Sequence, residues 1–316
     1  MIATVTLNPS IDHSLFVKRL CVGDTNPVLR TEIDAGGKGI NLARVAAEMG
    51  ATTLAVGFLG GGPGAYVRRV LDDQGVRHAF VETREPTREN FGVEDESDAP
   101  PTTFNARGPR IESDELERLM ALCGEVAGKC RWAAMGGSVP PGVPSGIYQE
   151  LAALFLRSGC RVLVDADGDA LREALEAGPD LCKPNAKEAS RLLGRPVAST
   201  HDAVAAAHEI LARQGSHRGR MTIVSLGADG AVLATPEGTW IGETPKVKAR
   251  STIGSGDSML GAFLWALEEG RPLTEAFRWG LAAGAATATT DGSEIARRPV
   301  VERLFAEASI TAATPP

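Results

Sequence analysis

Apolar positions along this chain recur with two periods. Short runs in which nearly every residue is apolar, ATVTL (3–7), TTLAVGFL (52–59), WAAMGG (132–137), RVLVDA (161–166) and MTIVSLG (221–227), have the length and composition of strands buried on both faces. Between them lie stretches with apolar residues three and four apart: INLARVAAEMG (40–50), AYVRRVLDDQG (65–75), DELERLMALCGEVAG (114–128), PSGIYQELAALFLRSG (144–159) and AVAAAHEILARQG (203–215). Each ends on glycine, the residue that most readily closes a helix. Strand and helix alternate, which predicts an α/β fold with a mostly parallel sheet and helices on both faces.

Two segments break the rhythm. DHSLFVKRLCVGDTNPVLRTEIDA (12–35) and TRENFGVEDESDAPPTTFNARG (87–108) read as short, partly polar antiparallel strands and turns, with no helix long enough for a crossover. They predict a small sheet standing off the core as a lid, with two ordinary surface hairpins as the equal alternative. The sequence shows no internal repeats, and only its end, TAATPP (311–316), reads as disordered.

Composition narrows the class. With 316 residues, 43% hydrophobic and 23% charged, the chain can bury a large core in one α/β unit or two smaller domains. No apolar run reaches the length of a membrane span, and the N-terminus enters a strand pattern without a basic leader, so a cytoplasmic protein without membrane partners is expected. The five cysteines are scattered without CxxC spacing, and the five histidines form no HExxH or HxxxH, so any metal is expected on oxygen ligands. The net charge of −7 is spread along the chain, which excludes a nucleic-acid footprint and points to a small-molecule partner.

The candidate chemistry gathers in glycine-bearing motifs. In TIGSGDSMLGAF (252–263), Gly254 and Gly256 permit positive φ and close approach, so the amides of residues 255–258 converge at a helix start and make an anion site. Asp257 in that position is either a helix cap or a base that takes a proton from a hydroxyl beside a bound phosphate. In KPNAKEASRLL (183–193), Asn185 and Glu188 read as a capping pair or as oxygens that orient a hydrated Mg2+, with Lys183 beside nucleotide phosphates. VSLGADGAVL (224–233) is a hairpin with Gly227 and Gly230 at positive φ, or a loop along which a nucleotide lies. MGGSVPPG (135–142) and AGGKGIN (35–41) leave ligand space at the carboxyl edge of the sheet, where Lys38 adds charge.

One fingerprint competes. Gly60, Gly62 and Ala65 stand in GxGxxA spacing after a strand, with Glu82 ending the next strand, as in a dinucleotide-binding turn. Pro63 inside the turn and its place after a complete strand and helix weigh against it. No GxxxxGK[ST] occurs, and the protein-kinase signatures HRD and DFG are missing, so phosphoryl transfer would need another scaffold.

TLNPSID (6–12), AGGKGINLAR (35–44), GGSVPPG (136–142), KPNAKE (183–188), SLGADGA (225–231) and TIGSGDSMLGAF (252–263) stand in the order and rough spacing of the PfkB group of ribokinase-like carbohydrate kinases. The chain resembles the phosphosugar branch of that group, which includes 1-phosphofructokinase, tagatose-6-phosphate kinase and the minor 6-phosphofructokinase, over essentially its whole length. The resemblance implies a three-layer α/β/α core (1–11, 36–86 and 109–316) and a β lid (12–35 and 87–108) that often forms a homodimer contact. It implies ATP and Mg2+, leaving a K+ requirement open. By motif match, Asp257 is the base, and Gly254, Ser255 and Gly256 form the anion hole for the transferring phosphoryl. Asp12, Gly37, Lys38, Asn41, Arg88 and Ser138 fall in the sugar site, with Lys38 and Arg88 as candidates for the substrate's existing phosphate. Lys183, Asn185, Ser225, Gly227 and Gly230 fall where the nucleotide binds, and Asn185 and Glu188 match the pair that orients Mg2+ through water.

Asn26 and Lys38 match the 1-phosphofructokinase and tagatose-6-phosphate kinase pattern and favour fructose 1-phosphate. TREN (87–90) and AAGAATATTDGS (282–293) fit the 6-phosphofructokinase equally. DADGDAL (165–171) and the acidic EDESDAPPT (94–102) depart from the family pattern and bear on substrate identity. The competing expectations are a kinase for an unphosphorylated sugar or nucleoside, a nicotinamide-dependent oxidoreductase on the Gly60 turn, and a sugar-phosphate sensor without catalysis.

Overall fold

The structure, a computed structural model, describes residues 1–95, 101–215, 219–292 and 294–314. In chain order it runs β1 (Ile2–Thr6), β2 (Ser10–Val17), β3 (Val28–Gly36), α1 (Lys38–Glu48), β4 (Thr53–Leu59), α2 (Gly61–Asp73), β5 (Arg77–Glu82), β6 (Arg88–Glu94) and β7 (Thr102–Phe104). It continues with α3 (Ser113–Ala127), β8 (Trp132–Gly136), α4 (Ile147–Arg157), β9 (Arg161–Asp165), α5 (Gly168–Glu176), β10 (Leu181–Cys182), α6 (Ala186–Leu193) and α7 (Thr200–Arg213). The remainder is β11 (Met221–Ser225), β12 (Ala231–Thr235), β13 (Gly238–Glu243), α8 (Ser255–Glu268), α9 (Leu273–Ala288), α10 (Arg298–Phe305) and β14 (Ser309–Ala313).

The apolar runs become the centre of one sheet in the order β14-β13-β12-β11-β10-β9-β8-β1-β4-β5. From β5 to β11 every pairing is parallel, while β12, β13 and β14 close the far side antiparallel. Strand period divides each run between two cores. Ala133 and Met135 of β8 face the helices α3 to α7, whereas Trp132 and Ala134 face α1, α8, α9 and α10. The result is the three-layer α/β/α sandwich expected from the alternation.

The two irregular segments pair with one another in a second sheet, β3-β2-β6-β7, and so are not separate hairpins. Its centre departs from the antiparallel expectation: β2 and β6 run parallel, with Ser10 opposite Arg88 and Phe16 opposite Glu94. Because β2 leaves the core directly after β1 and β6 leaves it after β5, both strands emerge from the same side of the main sheet and share a direction. Within EDESDAPPT, residues 96–100 lie outside the described region. The expected disorder at the C-terminus is corrected for Thr311–Ala313, which belong to β14 and pair with β13 from Thr239 to Ile241, while residues 315–316 lie outside the described region. Alternating small and polar residues there gave no apolar run to read, and the register comes from β13.

Both sheets present strand ends to the same loops. α1 begins at Lys38, directly after β3 ends at Gly36, so the small sheet connects to the core at the site described next.

Candidate active site

α8 opens on Gly254, whose φ of 75° is left-handed, a conformation that strains any residue with a Cβ. Gly256 is helical instead, and its constraint is room: a Cβ there would lie 3.1 Å from Lys183 Nζ. An ammonium group therefore rests against the first turn of α8, where helix geometry leaves N–H groups without helical partners. Ser255 donates its N–H only weakly, to Thr252 O at 3.4 Å. Together these make a positive, amide-lined corner suited to an anion.

Asp257 is the third residue of α8 and does not cap it; the capping position belongs to Gly254. Its carboxylate takes a 2.9 Å hydrogen bond from Asn41 Nδ2 of α1 and is only 8% exposed. Burial pushes its pKa up to about 6, and the negative charge of Asp165 adds to the rise; Lys38, the Asn41 hydrogen bond and Lys183 hold it back. A carboxylate of that basicity is ionised at neutral pH and accepts a proton more readily than an exposed one.

Asp165 ends β9 and stands between two lysines. Lys38 Nζ lies 3.1 Å and Lys183 Nζ 3.5 Å from its Oδ1, and Lys38 also lies 3.8 Å from Glu188 Oε1. Burial works to raise the Asp165 pKa, but the charges of Lys183 and Lys38 outweigh it and hold the carboxyl below its ordinary value. Burial likewise opposes the charge on Lys38, and Asp165, Glu188 and Asp257 overcome it, so Lys38 stays protonated. In the sequence, Asp165 stands out only as the start of a departure from the family pattern. Its signal was an acidic residue ending an otherwise apolar strand at the carboxyl edge of a parallel sheet. Asp167, two residues later, instead caps α5 through Gly168 N and pairs with Arg191.

Asn185 and Glu188 form a reciprocal capping box on α6: Glu188 N donates to Asn185 Oδ1 at 2.9 Å, and Asn185 N donates to Glu188 Oε2 at 2.8 Å. That leaves Glu188 Oε1 outside the capping box, paired at 3.8 Å with Lys38. No cluster of three or more acidic, histidine or cysteine side chains suited to a metal occurs among the described residues. The donors fit a hydrated cation held through water alongside nucleotide phosphates better than a protein-caged ion.

Ser225 bridges Asn185 at the end of β11, and the following turn has Gly227 and Gly230 at φ of 66° and 94°. Lys183, Asn185, Ser225 and this turn thus share the carboxyl edge of β10 and β11. Toward the small sheet, Asp12 accepts from Ser10 Oγ at 2.7 Å and Asn90 Nδ2 at 2.9 Å. Gly37 sets the entry to α1, and Ser138 accepts from Asn8 Nδ2 at 3.0 Å. Arg88 donates to three backbone carbonyls, those of Asn8, Pro9 and Ala106, leaving part of its guanidinium for a ligand. Asn26 spends its amide on Cys21 and Asp24 within its own loop, so of the two branch markers only Lys38 stands in the cluster. Asn8, quoted in TLNPSID without a role, joins the loop at 106–108 to Ser138.

The Gly60 turn is filled by the chain itself. Gly60 N donates to Thr87 Oγ1 at 3.0 Å, a Cβ on Gly60 would lie 2.3 Å from Glu85 O, and one on Gly61 would lie 3.0 Å from Pro86. Residues 83–87 occupy the place of a pyrophosphate, and Glu82 pairs with Arg68.

The model of the pfkB family of carbohydrate kinases matches residues 5–299. A 1-phosphofructokinase of Bacillus subtilis is 33% identical, the alignment covering 98% of this chain and 99% of that one. An ATP-dependent 6-phosphofructokinase isozyme 2 of Escherichia coli is also 33% identical, covering 96% of this chain and 98% of that one. Crystal structures of phosphofructokinase-2 from Escherichia coli superpose with TM-scores of 0.89, in complex with substrates and products, and 0.88, in complex with potassium, each at 32% identity over 97% of this chain and 98% of theirs. Equal identity to these two relatives leaves the choice of sugar phosphate to the residues of the site.

Proposed function

The chain belongs to the pfkB family of carbohydrate kinases, and we propose from that premise that it transfers the γ-phosphoryl group of ATP to a hydroxyl of a ketohexose phosphate, fructose 1-phosphate being favoured. The observation that carries the reading is Asp257: a buried carboxylate with its pKa raised to about 6, in the first turn of a helix whose amides and neighbouring Lys183 suit a phosphate. Base and anion site meet at one point because the accepting hydroxyl must lose its proton where the phosphoryl group arrives. That is the reason a carboxylate stands at a helix start.

Asp257 holds the hydroxyl by accepting its hydrogen bond and takes the proton late, as the phosphoryl group moves, because a carboxylate is a weak base toward an alcohol. Lys183 and the amides of Gly254, Ser255 and Gly256 offset charge on the group in transit. Lys38, 3.1 Å from Asp165 and close enough to Asp257 to affect its titration, serves the same charge. Arg88 is then the main candidate for the phosphate already on the sugar, with Asp12 and Asn90 beside it. ATP supplies the phosphoryl group and Mg2+ offsets its charge; Glu188 Oε1 faces that region, and Ser225, Gly227 and Gly230 line the nucleotide's edge. The fructose 1-phosphate preference rests on Lys38 as a residue that matches the 1-phosphofructokinase pattern, and not on a contact with the phosphate already on the sugar.

The small sheet carries exposed Leu29, Ile33, Phe91 and Phe104, an apolar set suited to a second copy of the chain. No helix among the described residues is long and apolar enough to cross a membrane, and a cytoplasmic homodimer is our reading.

A coupled ADP-release assay with Mg2+ and ATP over fructose 1-phosphate, fructose 6-phosphate, tagatose 6-phosphate and free fructose tests the substrate. The highest kcat/KM is expected with fructose 1-phosphate. A preference for fructose 6-phosphate would show that Lys38 does not decide the branch, and no turnover with any of them would sink the reading. In the same assay Lys38→Ala is expected to lower kcat more than it raises the sugar KM; the reverse split would return Lys38 to the substrate's existing phosphate.

A further inference from the structure

Arg44 lies on α1, six residues after Lys38 and three after Asn41, and it is only 3% exposed. An arginine buried that deeply must have its guanidinium satisfied by fixed partners. Arg44 Nε donates to Gln74 Oε1 at 2.8 Å, just past the end of α2, and Nη1 donates to the carbonyl of Ala35 in β3 at 3.0 Å. These two contacts hold the group independently of the site. The same Nη1 approaches Asn41 Oδ1 at 3.5 Å, while the other end of the Asn41 amide donates to Asp257.

A carboxamide has one donating end and one accepting end, and a guanidinium only donates. With Arg44 fixed, the Asn41 oxygen faces the guanidinium and its NH2 faces Asp257. The reversed amide would set N–H against N–H at one end and oxygen against carboxylate oxygen at the other. We propose that Arg44 is a positioning residue for phosphoryl transfer, locking the Asn41 amide in the orientation that donates a hydrogen bond to Asp257.

This inference rests on Asp257 being the base, and Arg44 itself touches no reacting atom. Its consequence lies in the state of Asp257, which is faced by Asp165 from β9, Lys38 and Asn41 from α1, and Lys183 from the segment after β10. Arg44 in turn is faced by Asp34, Arg297, Glu294 and Tyr66. A donated hydrogen bond favours the ionised carboxylate; a flipped amide would favour the protonated one. A cavity of about 340 Å³ borders Arg44 and Gln74, so a shorter or apolar side chain at 44 opens onto existing space.

The test is the pH dependence of kcat for wild type, Arg44→Met, Arg44→Lys, Asn41→Ala, the double variant Arg44→Met/Asn41→Ala, and Asp257→Asn. Differences from wild type in the same buffers remove the titration of the substrates' own phosphates. In Arg44→Met the acidic limb is expected to move up by about one pH unit, a loss of about fivefold at pH 6 with little change at pH 8. Arg44→Lys should fall between, and Arg44→Met should add nothing in the Asn41→Ala background. An unmoved limb, a loss uniform across pH, or additive losses in the double variant would overturn the proposal. If Arg44→Met does not fold, Arg44→Lys decides alone: a limb moved upward supports the inference and an unmoved one ends it. An active Asp257→Asn would instead remove the base on which the inference stands, whereas an inactive Asp257→Asn with an unmoved Arg44 limb removes only the role of Arg44.

Discussion

The end of β9 and the start of α8 each carry one buried aspartate, and their surroundings push the two in opposite directions. Asp165 is 4% exposed and Asp257 8%, so burial penalises both. Asp165 has two ammonium groups within 3.5 Å, and its charge is stabilised. Around Asp257, burial and the charge of Asp165 outweigh Lys38, the neutral Asn41 amide at 2.9 Å and Lys183, and its proton affinity rises. Two carboxyl groups of the same kind in one cleft are thereby suited to different work, Asp165 to holding cations in place and Asp257, in the mechanism proposed above, to exchanging a proton. The difference comes from which partners the fold delivers: lysines to the strand end, an asparagine to the helix start.

Removing the carboxylate of Asp257 is the sharpest way to break this comparison. Asp257→Asn is expected to lower kcat by about 10²- to 10⁴-fold, the range of a positioned general base. ATP should still protect the variant against thermal unfolding. A loss of nucleotide protection in proportion to the loss of rate would move Asp257 from base to binding residue.

How far each half of the site was legible in the sequence follows from the range of its contacts. Gly254, Ser255, Gly256 and Asp257 form one local unit, a glycine-capped helix start, and four consecutive residues are enough to recognise it. The capping box of Asn185 and Glu188 is local too. Asp165 meets Lys38, 127 residues away, only because β9 and β1 both flank β8, and that neighbourhood is set by sheet order. Arg44 was hidden for a related reason: residues 39–46 of α1 are all buried, so its arginine points into protein, and the partners that hold it lie in β3 and at the end of α2. The core strands were legible because burial on both faces makes them continuously apolar, and the small sheet was legible only as an interruption. The parallel pairing of β2 with β6 and the edge strand β14 depend on where their partners stand, which no periodicity records.

Asp165→Asn addresses the other half. It leaves Lys183, nearly as buried as Asp165, without its counter-charge, and breaking such a pair costs about 3 kcal/mol. The variant should unfold at lower temperature. It should also move the acidic limb of kcat to lower pH, because Asp165 raises the pKa of Asp257. A limb that stayed in place would mean that the two carboxyl groups do not sense one another.

The smallest expected effect separates the two groups by the sign of their contribution to stability. Asp257 has a folded pKa of about 6, above its ordinary 3.8, so the folded state binds its proton more tightly than the unfolded chain does. Its contribution is therefore most favourable below about pH 4 and is lost as pH rises through 6. At pH 7 to 8 the ionised carboxylate destabilises the fold, and Asp257→Asn should be more stable than wild type by on the order of 2 kcal/mol, or about 4 °C in Tm. That gain should shrink as pH falls from 6 to 4. Asp165, with its folded pKa lowered, runs the other way: its contribution is present above its unfolded pKa and fades as pH falls through the folded one. Thermal scans of both variants from pH 4 to 8 should thus show one aspartate whose removal stabilises the protein and one whose removal weakens it. A stabilised Asp257→Asn with little activity is what is expected where a charge is kept at a cost to stability because the reaction needs it.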